Sequence, residues 1–373
     1  MKIQPFELER WQSIWEHKVE LNISESGVEP LRVEELVDDP EILRRILKVR
    51  LGYPQTNGSE GLRSRIAELY PGARAENVLL TCGSAEANFL CTWALLEPGD
   101  EVVFMEPNYL QIAGLVEAFG GTVKPLWLKE ELQWAPDLDD LARLVTTKTR
   151  FIAICNPNNP TGAILSAKAM DAVVAAASRV GAWIVTDEVY RGAELDGQMT
   201  PSFWGKYDRV LATGGLSKAF GLAGLRTGWV VGPAEMIERL WSYHDYASMA
   251  PAMLTDHLAS LALEPARRSR LLERTRNILL KNYPVLRDWA KRHAGLITHI
   301  PPRAGAIAWF GVRGGRDTAA MAEELRVRKG VLLVPGEQLG MGSYFRIGFG
   351  GDAGTLERAL ARVDEVLARA VSA

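Results

Sequence analysis

The chain has 373 residues, a length at which one core usually gives way to two units. Its composition, 47% hydrophobic and 24% charged, is that of an ordinary folded protein, and a net charge of −3 offers no electrostatic basis for binding nucleic acid or an anionic membrane. Three cysteines, Cys82, Cys91 and Cys155, lack CxxC spacing, which argues against a disulfide framework or a zinc site and for a reducing, cytoplasmic compartment.

From the N-terminus, MKIQPFELERWQSIWEHK is amphipathic and charged throughout, so it does not read as a signal peptide. No later stretch has the uninterrupted apolar length that a membrane span needs. Between about residues 77 and 232, seven short apolar runs alternate with amphipathic ones. The runs are NVLLTCG, EVVFMEP, GTVKPLWL, RFIAICNP, AWIVTDEVY, RVLATGG and GWVVGP, separated by helical patterns such as SAEANFLCTWALL and SAKAMDAVVAAASRVG. Near-continuous apolar strands between helices predict an α/β fold with a mostly parallel, seven-stranded sheet flanked by helices. After residue 250 the pattern changes. A charged helical stretch over 254–293 leads to strand-like AIAWFGV, a helix around TAAMAEELRVRKG, strand-like VLLVPG and YFRIGFG, and a closing helix from Thr355. A large unit over 45–255 and a smaller α+β unit from 1–44 and 256–373, with an N-terminal arm, are expected. The arginines of ARRSRLLERTRNILLKN, at helical spacing and mixed with Glu264 and Glu273, read as a solvated helix face.

In sheets of this kind, ligand sites gather where strands end. In TCGSAEAN, Ser84 either caps a helix or opens one whose free N–H groups suit a phosphate. Tyr109 follows the next strand, as packing or as a stacking platform. NPNNPTG builds a rigid turn that can aim an asparagine, Asn159, into a cleft. TDEVYRG puts Asp187 at the end of an apolar run, where it needs a partner, with Tyr190 three residues on. Lys218, in SKAFGLAGLRTG, is by itself either a snorkelling surface residue or a pocket nucleophile, and Arg226 follows with the planar fork that holds phosphate. A desolvated lysine loses its proton more easily and becomes a competent imine-forming amine. One ligand accounts for the whole series: pyridoxal 5′-phosphate, with an aldehyde for Lys218 and a pyridine nitrogen for Asp187. No metal site is expected.

With NNPTG, DEVY and SKAFGLAGLRTG in this order, the chain resembles the fold-type I pyridoxal-phosphate enzymes, in particular the class I/II aminotransferases. The resemblance runs from YPQTNGSEGLR to YFRIGFG. It implies an aspartate aminotransferase-like fold and a lysine aldimine at Lys218, with Asp187 on the ring nitrogen. Asn159 and Tyr190 bond the phenolic oxygen, and Tyr109 stacks on the ring. Ser84, Ala85 and Arg226 hold the phosphate. Tyr53 matches a tyrosine that reaches the neighbouring subunit's cofactor, implying a homodimer with shared sites. Arg346 matches the arginine that grips the substrate carboxylate, and Gly27 and Asn159 fall in the substrate-binding stretches.

Three stretches depart from the common pattern. Gly215 stands three residues before the lysine where many relatives carry a hydroxyl, with Thr213 and Ser217 nearby. The gate reads NISESGVEPLRVEE, whose SGV is similar to capreomycidine synthase-type enzymes, and PPRAGAIAWF replaces a PxGGxF-like run. The expected reaction is ping-pong transamination between an amino acid and a 2-oxo acid. The alternatives are β-elimination, replacement or cyclisation of a β-substituted amino acid (capreomycidine synthase-like or C–S lyase-like), or a cofactor-binding regulator without turnover. No second arginine can be assigned to the side-chain pocket. Trp11, Trp15 and Trp309 either line it or pack in the core.

Overall fold

The computed structural model describes residues 2–372. All seven predicted apolar runs form strands of one sheet. Across it the order is Val78–Cys82, Thr227–Val231, Val210–Gly215, Trp183–Asp187, Thr149–Cys155, Glu101–Glu106 and Thr122–Lys129. An eighth strand that the periodicity did not predict, Ala135–Pro136, pairs antiparallel at the Thr122–Lys129 edge. It is only two residues long, and the reversal before it is made by Gln133 and Trp134, both at positive φ. The five central strands from Val210–Gly215 to Thr122–Lys129 pair in parallel, while Thr227–Val231 is antiparallel to both neighbours.

The apolar runs are continuous because both faces are covered. Val102 and Phe104 enter one hydrophobic cluster and Val103 and Met105 the other, as the two-residue strand period requires. Helices Ser84–Leu95, Gln111–Ala118 and Ala234–His244 supply the Val102 side; Ala167–Val180 and Leu138–Leu144 supply the opposite one.

A second, antiparallel sheet has the order Ile297–His299, Ile307–Val312, Tyr344–Gly348 and Val334–Pro335. The VLLVPG run is therefore split: Val331–Leu332 pairs instead with Leu21–Asn22 of the N-terminal arm. The charged stretch forms two helices, Met253–Ala262 and Pro265–Arg292. Its arginines are not simply solvated: Arg267 and Arg270 pair with Asp38, and Arg274 donates to the Glu29 carbonyl, so this face clamps the N-terminal segment. No helix among the described residues is long and apolar enough to cross a membrane.

Candidate active site

The ends of the parallel strands open onto one cavity of about 350 Å³. Ser84, Ala85, Tyr109, Asn159, Asp187, Tyr190, Lys218, Arg226 and Arg346 all line it, so residues spread over more than 260 positions of sequence converge. Two expected residues do not line it. Gly27 lies behind Lys218, where a β-carbon would sit 3.7 Å from the lysine Cδ. Tyr53 is 84% exposed, outside this chain's cavity.

The alternatives left open by the sequence divide as follows. Gly83, at φ +83°, is the N-cap of helix Ser84–Leu95, and Ser84 is its first residue, so Ser84 does not cap it. Arg226 packs so closely on Gly83 that a β-carbon there would stand 2.5 Å from Nη2. Across the strand pair, a β-carbon on Gly228 would run into the Gly83 backbone. Arg226 is itself in the left-handed region at φ +47°, a conformation that costs a non-glycine residue energy and gathers at functional sites. A helix start, a guanidinium and two small residues form a cradle suited to a phosphate.

At Gly215 a β-carbon would stand 3.0 Å from the Thr227 carbonyl, so a side chain there would need that strand to give by a few tenths of an ångström. Thr213 does not replace the hydroxyl missing there, because its own donates to Asn88 Oδ1. The hydroxyl residues on that wall are Ser84 and Ser217.

Asp187 accepts from Asn88 Nδ2 at 3.0 Å and from the Val189 N–H at 3.0 Å. Neither donor carries charge, and enclosure by protein raises the carboxyl pKa. A protonated ring nitrogen would give this carboxyl a directly bonded cationic donor, so the residues fit pyridoxal 5′-phosphate. Asn88 escaped the sequence reading, although a polar residue on a buried, apolar helix face was a visible signal.

Arg346 is 1% exposed and in mid-sheet, opposite Trp309. It donates to Asn159 Oδ1 at 2.9 Å and to the Ser24 carbonyl at 2.6 Å, and its Nε has no partner. That leaves a donor for an incoming carboxylate. The tryptophans do not line the cavity: Trp309 stacks on Tyr344, Trp11 donates to the Leu333 carbonyl, and Trp15 lies under the Arg326 guanidinium.

The environment of Lys218 corrects an expectation. Enclosure alone would lower its pKa, but the Glu25 carboxylate at 3.0 Å, aided by Tyr190, outweighs this and raises it. Glu25 is held down to about 2, chiefly by the Lys218 charge. Glu9, likewise unforeseen, accepts from the Tyr109 hydroxyl at 2.7 Å. Among the described residues no cluster of His, Cys, Asp or Glu is arranged to hold a metal ion.

Residues 25–363 match the family model described as aminotransferase class I and II. Capreomycidine synthase from Streptomyces vinaceus is 32% identical over 363 residues, covering 96% of this chain and 93% of that one. A PLP-dependent aminotransferase from Streptococcus suis superposes with a TM-score of 0.93 at 32% identity, covering 99% of each chain. The PLP-dependent cyclase OrfR superposes with a TM-score of 0.90 at 29% identity, covering 99% of this chain and 98% of that one.

Proposed function

The chain belongs to the class I and II aminotransferases, and from that premise we propose that it is an aminotransferase exchanging an amino group between an amino acid and a 2-oxo acid in two half-reactions. Its fold is the aspartate aminotransferase-like fold type I, and its cofactor is pyridoxal 5′-phosphate. One observation carries the reading: a lysine amine, a carboxyl with only neutral donors, a guanidinium at a helix start and a second arginine with an unpaired Nε share one cavity.

When bound, the cofactor supplies an aldehyde that takes up amino groups and a ring that draws electrons from the substrate α-carbon. The chain does the rest. Arg226 and the N–H groups of Ser84 and Ala85 bind the phosphate. Asp187, oriented by Asn88, keeps the proton on the ring nitrogen. Asn159, Tyr190 and Tyr109 would hold the ring. Arg346 binds the substrate carboxylate through a planar fork, and Asn159 holds that fork in place. Lys218, once free, would take the α-proton at Nζ and give it back as a general acid. In this reading, residues 45–255 form the cofactor-binding unit and 1–44 with 256–373 the smaller one.

A homodimer with shared sites is part of the proposal. Leu43, Leu47, Leu51 and Tyr53 leave an exposed apolar face beside the segment expected to reach a partner's phosphate. The likeness to capreomycidine synthase and to a cyclase favours a second reading, in which a β-substituted amino acid loses its leaving group and cyclises. Giving the loaded protein one amino acid at a time, without a 2-oxo acid, separates the two. Transamination yields the amine form of the cofactor and one 2-oxo acid per site. Elimination or cyclisation leaves the cofactor spectrum as it began, and that result with every productive amino acid would refute the first reading.

A further inference from the structure

Three glutamates of the N-terminal segment, Glu9, Glu16 and Glu25, face the same cavity as Lys218, Arg226 and Arg346. Given the assignments just proposed, charge balance decides what side chain the cavity accepts. Arg226 meets a phosphate, Asp187 a ring nitrogen, and Arg346, with its unpaired Nε, a carboxylate. That leaves the glutamates. Glu9 has a neutral partner, the Tyr109 hydroxyl, and Glu16 pairs with the solvent-exposed His17. Glu25 accepts from the N–H groups of Ser26 at 2.8 Å and Gly27 at 3.0 Å, and from the Lys218 amine at 3.0 Å. Lys218 cannot hold Glu25 and be joined to the cofactor aldehyde at once. When it is joined, the two backbone donors keep the Glu25 carboxylate ionised but its cation is gone.

We propose that Glu25 is a specificity-determining residue that exchanges one cation for another: the Lys218 ammonium in the cofactor-free protein, and the cationic side chain of the amino-acid substrate in the loaded protein, where that side chain stays while Lys218 acts as the base. Position supports this, because Ser24, whose carbonyl holds Arg346 Nη2, directly precedes Glu25, so a ligand anchored at Arg346 lies beside it. Charge supports it too. Among the described residues no arginine besides Arg226 and Arg346 lines the cavity, so a dicarboxylic substrate would set its distal group against glutamates with no cation to receive it. A guanidinium or ammonium group removes that repulsion, and Glu9 lines the same cavity.

Binding of 5-guanidinopentanoate and of its neutral counterpart 5-ureidopentanoate to the cofactor-loaded protein, by calorimetry, tests this. Neither carries an α-amine, so neither is turned over, and the result is independent of whether the protein transaminates. The guanidino compound should bind tighter by about 10- to 100-fold, the scale of one hydrogen bond to a charged group. Glu25→Gln, checked by its unchanged cofactor absorbance, should remove most of that difference by weakening the guanidino compound alone. Equal affinities in the wild type, or a preference that survives Glu25→Gln, would overturn the proposal. Should Glu25→Gln fail to load, Glu25→Asp takes its place and should narrow the difference; a preference left at its wild-type size would overturn the proposal. A protein that shows this preference yet transaminates nothing would lose the aminotransferase reading and keep this one.

Discussion

Lys218 sits between opposing influences: enclosure favours the neutral amine, and Glu25 favours the ammonium and prevails. Attack on the cofactor aldehyde needs the neutral amine. Because the lysine pKa is raised above its ordinary 10.5, the neutral fraction is small at neutral pH and keeps growing as pH rises. Loading of cofactor-free protein should therefore speed up with pH through the range from 7 to 9 without levelling off (roughly tenfold per unit for one titrating group). Glu25→Gln, with enclosure unopposed, should load faster at pH 7 and level off sooner. Stopped-flow absorbance reads both, and a wild-type profile flat above pH 7 would contradict the assignment. At Asp187 charge matters more than shape. Asp187→Asn keeps a hydrogen-bonding group but removes the anion, and should lower kcat by about 10²- to 10³-fold with the cofactor still bound. Retention of wild-type kcat would show that Asp187 does not hold the ring charge.

The elements place these groups by their ends. Strands Trp183–Asp187 and Val210–Gly215 pack both faces in the core until their last residues, and the candidate chemistry begins where they stop: Asp187 at the end of one, Ser217 and Lys218 just past the other. This part of the site was legible, since strand period and turn residues are local signals that one chain carries in order. What escaped is non-local. Glu9 meets Tyr109 across 100 positions and Glu25 meets Lys218 across 193, and no periodicity marks either pair. The Ala135–Pro136 edge strand is too short to show a period at all. The phosphate cradle depends on how closely Thr227–Val231 can approach helix Ser84–Leu95. Gly228→Ala should therefore destabilise the protein by about 1–3 kcal/mol through overpacking and weaken cofactor retention, read by denaturant unfolding and equilibrium dialysis. Wild-type values for both would show that the close contact is unimportant.

For the whole molecule, the cavity depends on pieces that no single sheet supplies. The large sheet contributes Asp187 and, just past a strand end, Lys218; the small sheet contributes Arg346 and the N-terminal arm Glu9 and Glu25, and that arm is clamped at Glu29 and Asp38 by Arg267, Arg270 and Arg274 of the long helix. The proposed dimer adds Tyr53 from a second copy, and this has a distinctive consequence. Lys218→Ala and Tyr53→Ala proteins, each impaired alone, should regain activity when unfolded together and refolded as mixed dimers. One site of each mixed dimer then carries both defects and the other carries neither. If Tyr53 served its own chain's cavity, mixing would restore nothing.

Lys218 as the cofactor's anchor is the claim on which the rest depends. Borohydride reduction of the loaded protein, followed by peptide mass spectrometry, tests it most directly. The prediction is one reduced cofactor per chain, carried on the peptide that contains Lys218 and absent from Lys218→Ala. Label on a different lysine, or none on the loaded wild type, would contradict it.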